Sequence, residues 1–276
     1  MSQISAAAVN ELRKRTDLPL MECKKALTEA GGDLDKAVDI LRSGFGKAMT
    51  KREANETAEG RVAVLIQGDT AAIVELRCES APTAKNELFG KLADDVAKAV
   101  LEHNPADVDA LLAMPAVKNR LEETVGLIRE KMVVHRFTRL AGGVFGCYVH
   151  HDLMGGALVQ CGGTTAADEL LKDIGAHIVA LNPPYFTADG VPAAVLEKEK
   201  AFIAQQIKDD PKNATKPANI IEKMADGKIK AWMAETVLVD QPMANGAKYP
   251  NTTVGEALKK AGLTPTKFVR YRVGSA

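Results

Sequence analysis

Aromatic residues make up only 4% of this 276-residue chain, so its cores must be built mainly from Ala, Val, Leu and Ile. Paired cysteines are missing as well. Cys23, Cys78, Cys147 and Cys161 stand alone with no CxxC spacing. That spacing excludes a paired-cysteine zinc site and fits reduced, buried thiols of a cytoplasmic protein. No stretch approaches ~20 apolar residues, and the opening MSQISAAAVNELRKRTD holds no long apolar segment, so neither export nor a membrane span is expected. Excess charge of one sign is absent: the formal net charge is zero. Direct nucleic-acid binding by phosphate neutralisation is therefore not expected.

Catalytic and nucleotide-binding motifs are also missing. There is no G-x-x-x-x-G-K-[ST], G-x-S-x-G or H-E-x-x-H. The cluster most like an active site is His150-His151-Asp152. Adjacent residues on a strand face opposite ways, which suits joint metal ligation badly, and a polar turn at a hairpin tip is the simpler account. His177 follows Asp173 by four, the spacing of a surface helix pair. Cys78 and Cys161 occupy matched positions with no matched base, which favours burial over nucleophilic catalysis. The run Glu197-Lys198-Glu199-Lys200 reads as a solvated helix face. No catalytic residue, cofactor or metal site is expected.

Apolar residues at 46% and charged residues at 26% fit a soluble globular protein, and the length fits two or three domains. Ser5 can cap a helix bearing Val9 and Leu12; Thr16-Asp17-Leu18-Pro19 breaks it. A second helix through Met21, Cys23, Ala26 and Leu27 ends at Gly31-Gly32. Asp33 caps a third, with Leu34, Ala37, Val38 and Leu41 on one face, ending near Gly44. The charged stretch from Lys47 to Glu59 reads as a linker.

The middle of the chain is duplicated. Gly60 precedes Cys78 by the same interval as Gly143 precedes Cys161. Between them lie two β-branched runs around a turn, Gly68-Asp69 in one copy and His151-Asp152 in the other, which predicts a hairpin in each. Thr83 or Thr165 then caps an amphipathic helix opening at Glu87-Leu88 or Glu169-Leu170, with Asn86 and Asp168 placed to reach back. Further on, Val195, Phe202 and Ile203 mark one helix face, Pro211 to Pro217 turns the chain, and Ile220, Ile221, Met224, Ile229 and Met233 mark a return helix. A strand at 235–239, a helix at 254–261 and a strand at 267–273 follow. The expected architecture is α+β. It comprises a three-helix module of the ubiquitin-associated type over 1–46, a linker over 47–59 and one hairpin-plus-helix subdomain over 60–140. The second subdomain begins over 141–191, is interrupted by an antiparallel helical hairpin over 192–234, and is completed over 235–276.

These residues carry a resemblance. TDLPLMECKKAL, from Thr16, resembles the T-G-x-x-M-M-D-C-K-K-A-L signature of the elongation factor Ts family, and GGDLDKAVDILR follows at the family's spacing. The duplicated core, NPPYFTADGVPAAVLEKEKAFI, IIEKMADGKIKAWMAE and TVGEAL are similar to the family in order, over nearly all of the chain. The resemblance implies a guanine-nucleotide exchange factor that binds elongation factor Tu and promotes GDP release by disturbing its Mg²⁺ and phosphate site. It puts Leu20 and Met21 at the family's paired methionines and His150 at a histidine of the second hairpin, all three as partner contacts. For Met21, packing inside the small bundle is an equal alternative. After Cys78 the family has T-D-F-V-A-K, whose aspartate and phenylalanine enter the partner near its Mg²⁺-associated region. Here Ser80, Ala81, Pro82 and Thr83 begin that loop. Ala81 supplies no charge and Pro82 is a smaller wedge, although Pro82 should hold Ala81 extended. A buried aromatic anchor is commonly worth ~2 kcal/mol. The departure favours, as a rival, a divergent binding or chaperone protein with weak exchange. The helical hairpin leaves a homodimer open.

Overall fold

A computed structural model describes residues 4–16 and 18–275, with the side chains of 45–51 outside the description. Three helices come first: α1 (Ala6–Thr16), α2 (Leu20–Glu29) and α3 (Leu34–Lys51). Ser5 Oγ accepts from the Ala8 amide, and Asp33 accepts from the amides of Asp35 and Lys36, so both expected caps form. Gly31 and Gly32 take positive φ, 67° and 93°, and turn the chain between α2 and α3. Val9, Leu12, Leu18, Cys23, Ala26, Leu27 and Ala37 form the core of this bundle. The break between α1 and α2 falls where expected, with Asp17 itself outside the described residues. Helix α3 does not end near Gly44; it runs on to Lys51, taking in the start of the expected linker.

The body is two three-stranded antiparallel sheets. The first joins β1 (Glu59–Gln67) and β2 (Thr70–Cys78), then a single turn α4 (Ala81–Ala84), α5 (Glu87–His103), α6 (Val108–Leu112), α7 (Pro115–Ile128) and β3 (Met132–Ala141), in the order β1-β2-β3. The second joins β4 (Val144–Val149), β5 (Gly155–Gly162) and, after α8 (Asp168–Leu181), α9 (Ala193–Asp209), α10 (Ala218–Thr236) and α11 (Val254–Lys260), β6 (Thr264–Arg272), in the order β4-β5-β6. Both hairpins predicted from the duplication are present, each followed by its helix.

Burial follows the two-residue period of the strands. On β2, Ala72, Val74, Leu76 and Cys78 face α5 and α7, while Ala71 and Ile73 face the other sheet. On β5, Ala157, Val159 and Cys161 face α8 and α11, while Leu158 meets the first sheet. Both central strands are thus covered on both faces, which gives them almost unbroken burial. Helix α8 lies close on β4 because Gly146 and Gly175 leave no side chain between them; a Cβ on Gly175 would sit 2.9 Å from that of Tyr148.

Some details depart from expectation. Neither threonine caps its helix. Thr83 is buried inside α4, Asn86 caps α5 by accepting from the Leu88 amide, and α8 opens at Asp168 after Ala167, which supplies no side-chain cap. Ala81 opens a helical turn and is not held extended, since Pro82 sits in a first turn whose amides need no partner. The expected strand at 235–239 is the end of α10 followed by a 3-10 turn at Leu238–Asp240, with Val237 making only an isolated bridge to Tyr185. On α9, Ile203 and Ile207 are buried, whereas Val195 and Phe202 lie on the outer face. On α10, Ile220 is exposed and no residue is fully buried, so this helix has company on one side only.

Candidate functional site

Leu20 and Met21 open helix α2 directly after Pro19, whose carbonyl accepts from the amides of Glu22 and Cys23. That start turns Cys23, Ala26 and Leu27 inward and leaves Leu20 and Met21 outside, 45% and 74% exposed. Core packing for Met21 is therefore ruled out by its position. An exposed, flexible thioether beside a leucine is an adaptable docking surface. Next to it, Glu22 pairs with Arg129, the left-handed residue that ends α7. Leu127 of α7 also packs on the bundle core, so the exposed pair is held against the body.

The loop after β2 is the second feature. Ala81 and Pro82 are exposed, Ser80 is half-buried and Thr83 is buried. Glu130 accepts from the Ser80 amide at 3.0 Å and from its hydroxyl at 2.6 Å. Glu79 accepts from the Lys131 amide and pairs with Arg52 at 3.3 Å. These bonds and the Arg52 charge pull the Glu79 carboxyl below the usual range against the opposing effect of its partial burial. Sequence reading missed Glu79 and Glu130. Their signal is weak: each is a lone acidic residue at an element boundary, and their pairing spans 50 residues or more of chain.

His150 lies just past the end of β4, on the tip of the second hairpin, where its amide donates to the Gly155 carbonyl and its own carbonyl accepts from Leu153. The polar turn is as expected. The argument from strand alternation does not apply, because β4 ends at Val149 and the rings of His150 and His151 lie side by side, centroids 4.1 Å apart and tilted by 55°. Tyr148 Oη meets His150 Nδ1 at 3.0 Å. Beside them opens a groove of about 520 Å³ bordered by Asp152, Asp173, His177 and Arg272. Two of its polar groups, Asp173 and His177, are already engaged. Asp173 accepts from Lys248 and Tyr249, which lowers its carboxyl pKa, although its partial burial acts the other way. His177 is no surface partner of Asp173: it is buried, 2.7 Å from Gln241 Oε1, and accepts from the Ala244 amide, and burial holds its pKa below the usual value.

Cys78 and Cys161 are buried at the ends of the matched strands β2 and β5. Burial pushes their thiols up to about 12 and about 11. Thiols that stay protonated at neutral pH are packing groups rather than nucleophiles. Among the described residues, no group of three or more His, Cys, Asp or Glu side chains is placed to hold a metal ion, and no helix is long and apolar enough to cross a membrane.

The structure puts the exposed Leu20–Met21 pair and the braced Ala81–Pro82 tip on elements that share the α7–β3 junction as a support, with His150 on a separate hairpin of the second sheet. The layout is one of exposed apolar side chains and a hydrogen-bonded loop on a double-sheet body. The family model for elongation factor Ts matches residues 83–275. The elongation factor Ts of Thioalkalivibrio sulfidiphilus is 41% identical over 98% of this chain and 92% of its own length. Those of Paracidovorax citrulli and Cupriavidus taiwanensis are each 40% identical over 99% of this chain and 92% of theirs. This chain belongs to the elongation factor Ts family.

Proposed function

We propose that this chain is a guanine-nucleotide exchange factor that binds elongation factor Tu in its GDP form and promotes GDP release by disturbing the Mg²⁺ and phosphate site. The observation that carries the reading furthest is Met21, a large apolar side chain held out in solvent at the position of the family's signature methionine. The N-terminal helices act as a docking module of the ubiquitin-associated type, the subdomains at 60–140 and at 141–191 with 235–276 grip the GTPase, and residues 192–234 form the inserted hairpin. His150 is a further partner contact, and Ser80 to Thr83 form the insertion loop.

The physics is linkage. A factor that binds the nucleotide-free GTPase better than its GDP form must weaken GDP, and GDP must weaken the factor equally. The factor raises the population of a state that is otherwise sparse. No covalent step, cofactor or resident metal takes part, and neither nucleic acid nor membrane is a partner. The place of action is the cytoplasm.

A second reading, a binding or chaperone protein with weak exchange, is favoured by one observation: the exposed loop tip carries Ala81 and Pro82, with neither a charge nor an aromatic ring. Release of fluorescent GDP from elongation factor Tu at fixed Mg²⁺ separates the two. Strong acceleration supports exchange, complex formation without acceleration supports the binder, and no complex overturns both.

A further inference from the structure

The loop between Cys78 and Asn86 is short of internal support. Its only regular element, α4, is one turn, and a single turn has little stability of its own. The Ser80 hydroxyl caps that turn by accepting from the Thr83 amide at 3.5 Å, and Ala84 packs in the first core. The tie from outside the loop comes from the α7–β3 junction. Arg129 ends α7 with φ at 64°, and that left-handed turn swings the next residue, Glu130, across the exit of β2. Both oxygens of the Glu130 carboxylate then grip one residue: Oε2 accepts from the Ser80 amide at 3.0 Å and Oε1 from the Ser80 hydroxyl at 2.6 Å. The tie is returned in the opposite direction by Glu79, which accepts from the Lys131 amide. Lys131 Nζ in turn donates to the carbonyls of Glu53 at 2.6 Å and Asn55 at 2.8 Å, in the segment that leads from α3 into β1. Cys78 Sγ donates to the Ser80 carbonyl at 3.4 Å. Beyond this brace the tip exposes Ala81 and Pro82, Thr83 and Ala84 are buried, and Lys85 is exposed again before α5.

We infer that Glu130 is a positioning residue for exchange: it touches no nucleotide, and it stiffens Ser80 so that the Ala81–Pro82 tip can push on the partner instead of folding away. This rests on the exchange reading above. The separation of effects follows from the geometry. Docking on this reading is carried by Leu20, Met21 and His150, whereas the hydrogen bonds of Glu130 go to Ser80, so a slack loop still binds. Displacement of a bound ion or phosphate needs the tip held in place before contact, and a loop that must be ordered during the event loses that advantage. Glu130 therefore governs the maximal rate of GDP release and leaves the half-saturating concentration nearly unchanged. Burial, with the neighbouring Glu130 charge, also pushes the Cys78 thiol up to about 12, which makes that thiol a reporter of the brace.

The test measures fluorescent GDP release from elongation factor Tu against concentration of the full chain, together with the alkylation rate at Cys78, for wild type, Glu130→Ala, Glu130→Gln and Ser80→Ala. A doubly bonded, charged acceptor of this kind predicts about a tenfold fall in maximal rate for Glu130→Ala, with half-saturation shifted less than about threefold. Cys78 alkylation should rise. Glu130→Gln has the same shape, accepts from the amide and donates to the hydroxyl, so it should recover most of the rate. Ser80→Ala, which removes the hydroxyl's bond to Glu130 and its cap bond from the Thr83 amide, should give the same split where Glu130→Ala does not fold. An unchanged maximal rate in both alanine variants overturns the proposal. So does a parallel loss of rate and affinity that Glu130→Gln fails to rescue. Should wild type itself not accelerate release, the exchange reading falls, and Cys78 alkylation alone then decides whether Glu130 braces the loop.

Discussion

Met21→Ala separates docking from packing at the site where residue type alone left the two equal. Met21 is 74% exposed, whereas Leu27, two turns further along α2, is fully buried in the bundle core. Fully burying a methionine side chain is worth ~1.5–3 kcal/mol. With about three quarters of it still to be covered, contact with a partner at Met21 is worth ~1–2 kcal/mol, a factor of about 5–30 in Kd. The effect on folding should be small, within about 0.5 kcal/mol, because an exposed residue away from any core leaves no cavity. Leu27→Ala is the contrast: it empties space in the core of the bundle and should cost ~2–5 kcal/mol of stability.

Two measurements on each variant decide the matter: the chemical denaturation midpoint, and calorimetric affinity for elongation factor Tu bound to GDP. The expected pattern is a normal midpoint with weakened binding for Met21→Ala, and a lowered midpoint for Leu27→Ala. A midpoint for Met21→Ala that falls as far as that of Leu27→Ala would show that Met21 packs inside the bundle. Unchanged affinity would remove α2 from the partner interface and with it the strongest support for the functional reading.

Glu75 is fully buried between the sheets with Arg77 and Arg136, each 2.7 Å away, and Arg136 lies over the Tyr271 ring. Glu75→Ala strands two guanidinium groups and should cost about 3 kcal/mol in urea denaturation; a loss below ~1 kcal/mol would refute the buried charge network. His177 has its pKa lowered by burial, so the unfolded chain binds its proton more readily than the folded one. Stability on its account is complete above the unfolded value near 6.5 and declines as pH falls through and below it. Thermal denaturation of wild type and His177→Gln between pH 8 and about 5 should show a shallower acid slope in the variant, and equal slopes would count against the assignment. Replacing Ala81 and Pro82 by Asp and Phe restores the family pattern at the loop tip and should raise GDP release or binding by about tenfold or more. If both stay unchanged, the loop is not an insertion element.

What could be read from the chain depended on how far apart the determining residues lie. The hairpins of the duplicated core were legible because each is local: β-branched runs around Gly68-Asp69 or His151-Asp152, closing within one turn. Their matched cysteines were legible as burial for the same reason, since alternation along β2 and β5 puts Cys78 and Cys161 on the helix-facing side in both copies. The strand expected at 235–239 failed because Val237 and Leu238 are buried by tertiary packing on the second core, and a short apolar run says only that a segment is buried, not which backbone form it takes. The threonine caps failed differently: Asn86 stands nearer the true start of α5, and Thr83 was claimed by a one-turn helix that the pre-proline rule argued against. The brace on Ser80 was beyond local reading, because Glu130 is brought to it by a left-handed turn at Arg129, where neither charge pattern nor spacing carries a signal. The same holds for Glu75, an acidic residue in a strand whose two arginine partners, Arg77 on its own strand and Arg136 on the next, gain their meaning only once a second sheet covers them. Anchors such as Met21 are visible in a motif, but the side chains that hold a working loop in place are chosen by the fold, and it is there that variants of this chain should separate binding from exchange.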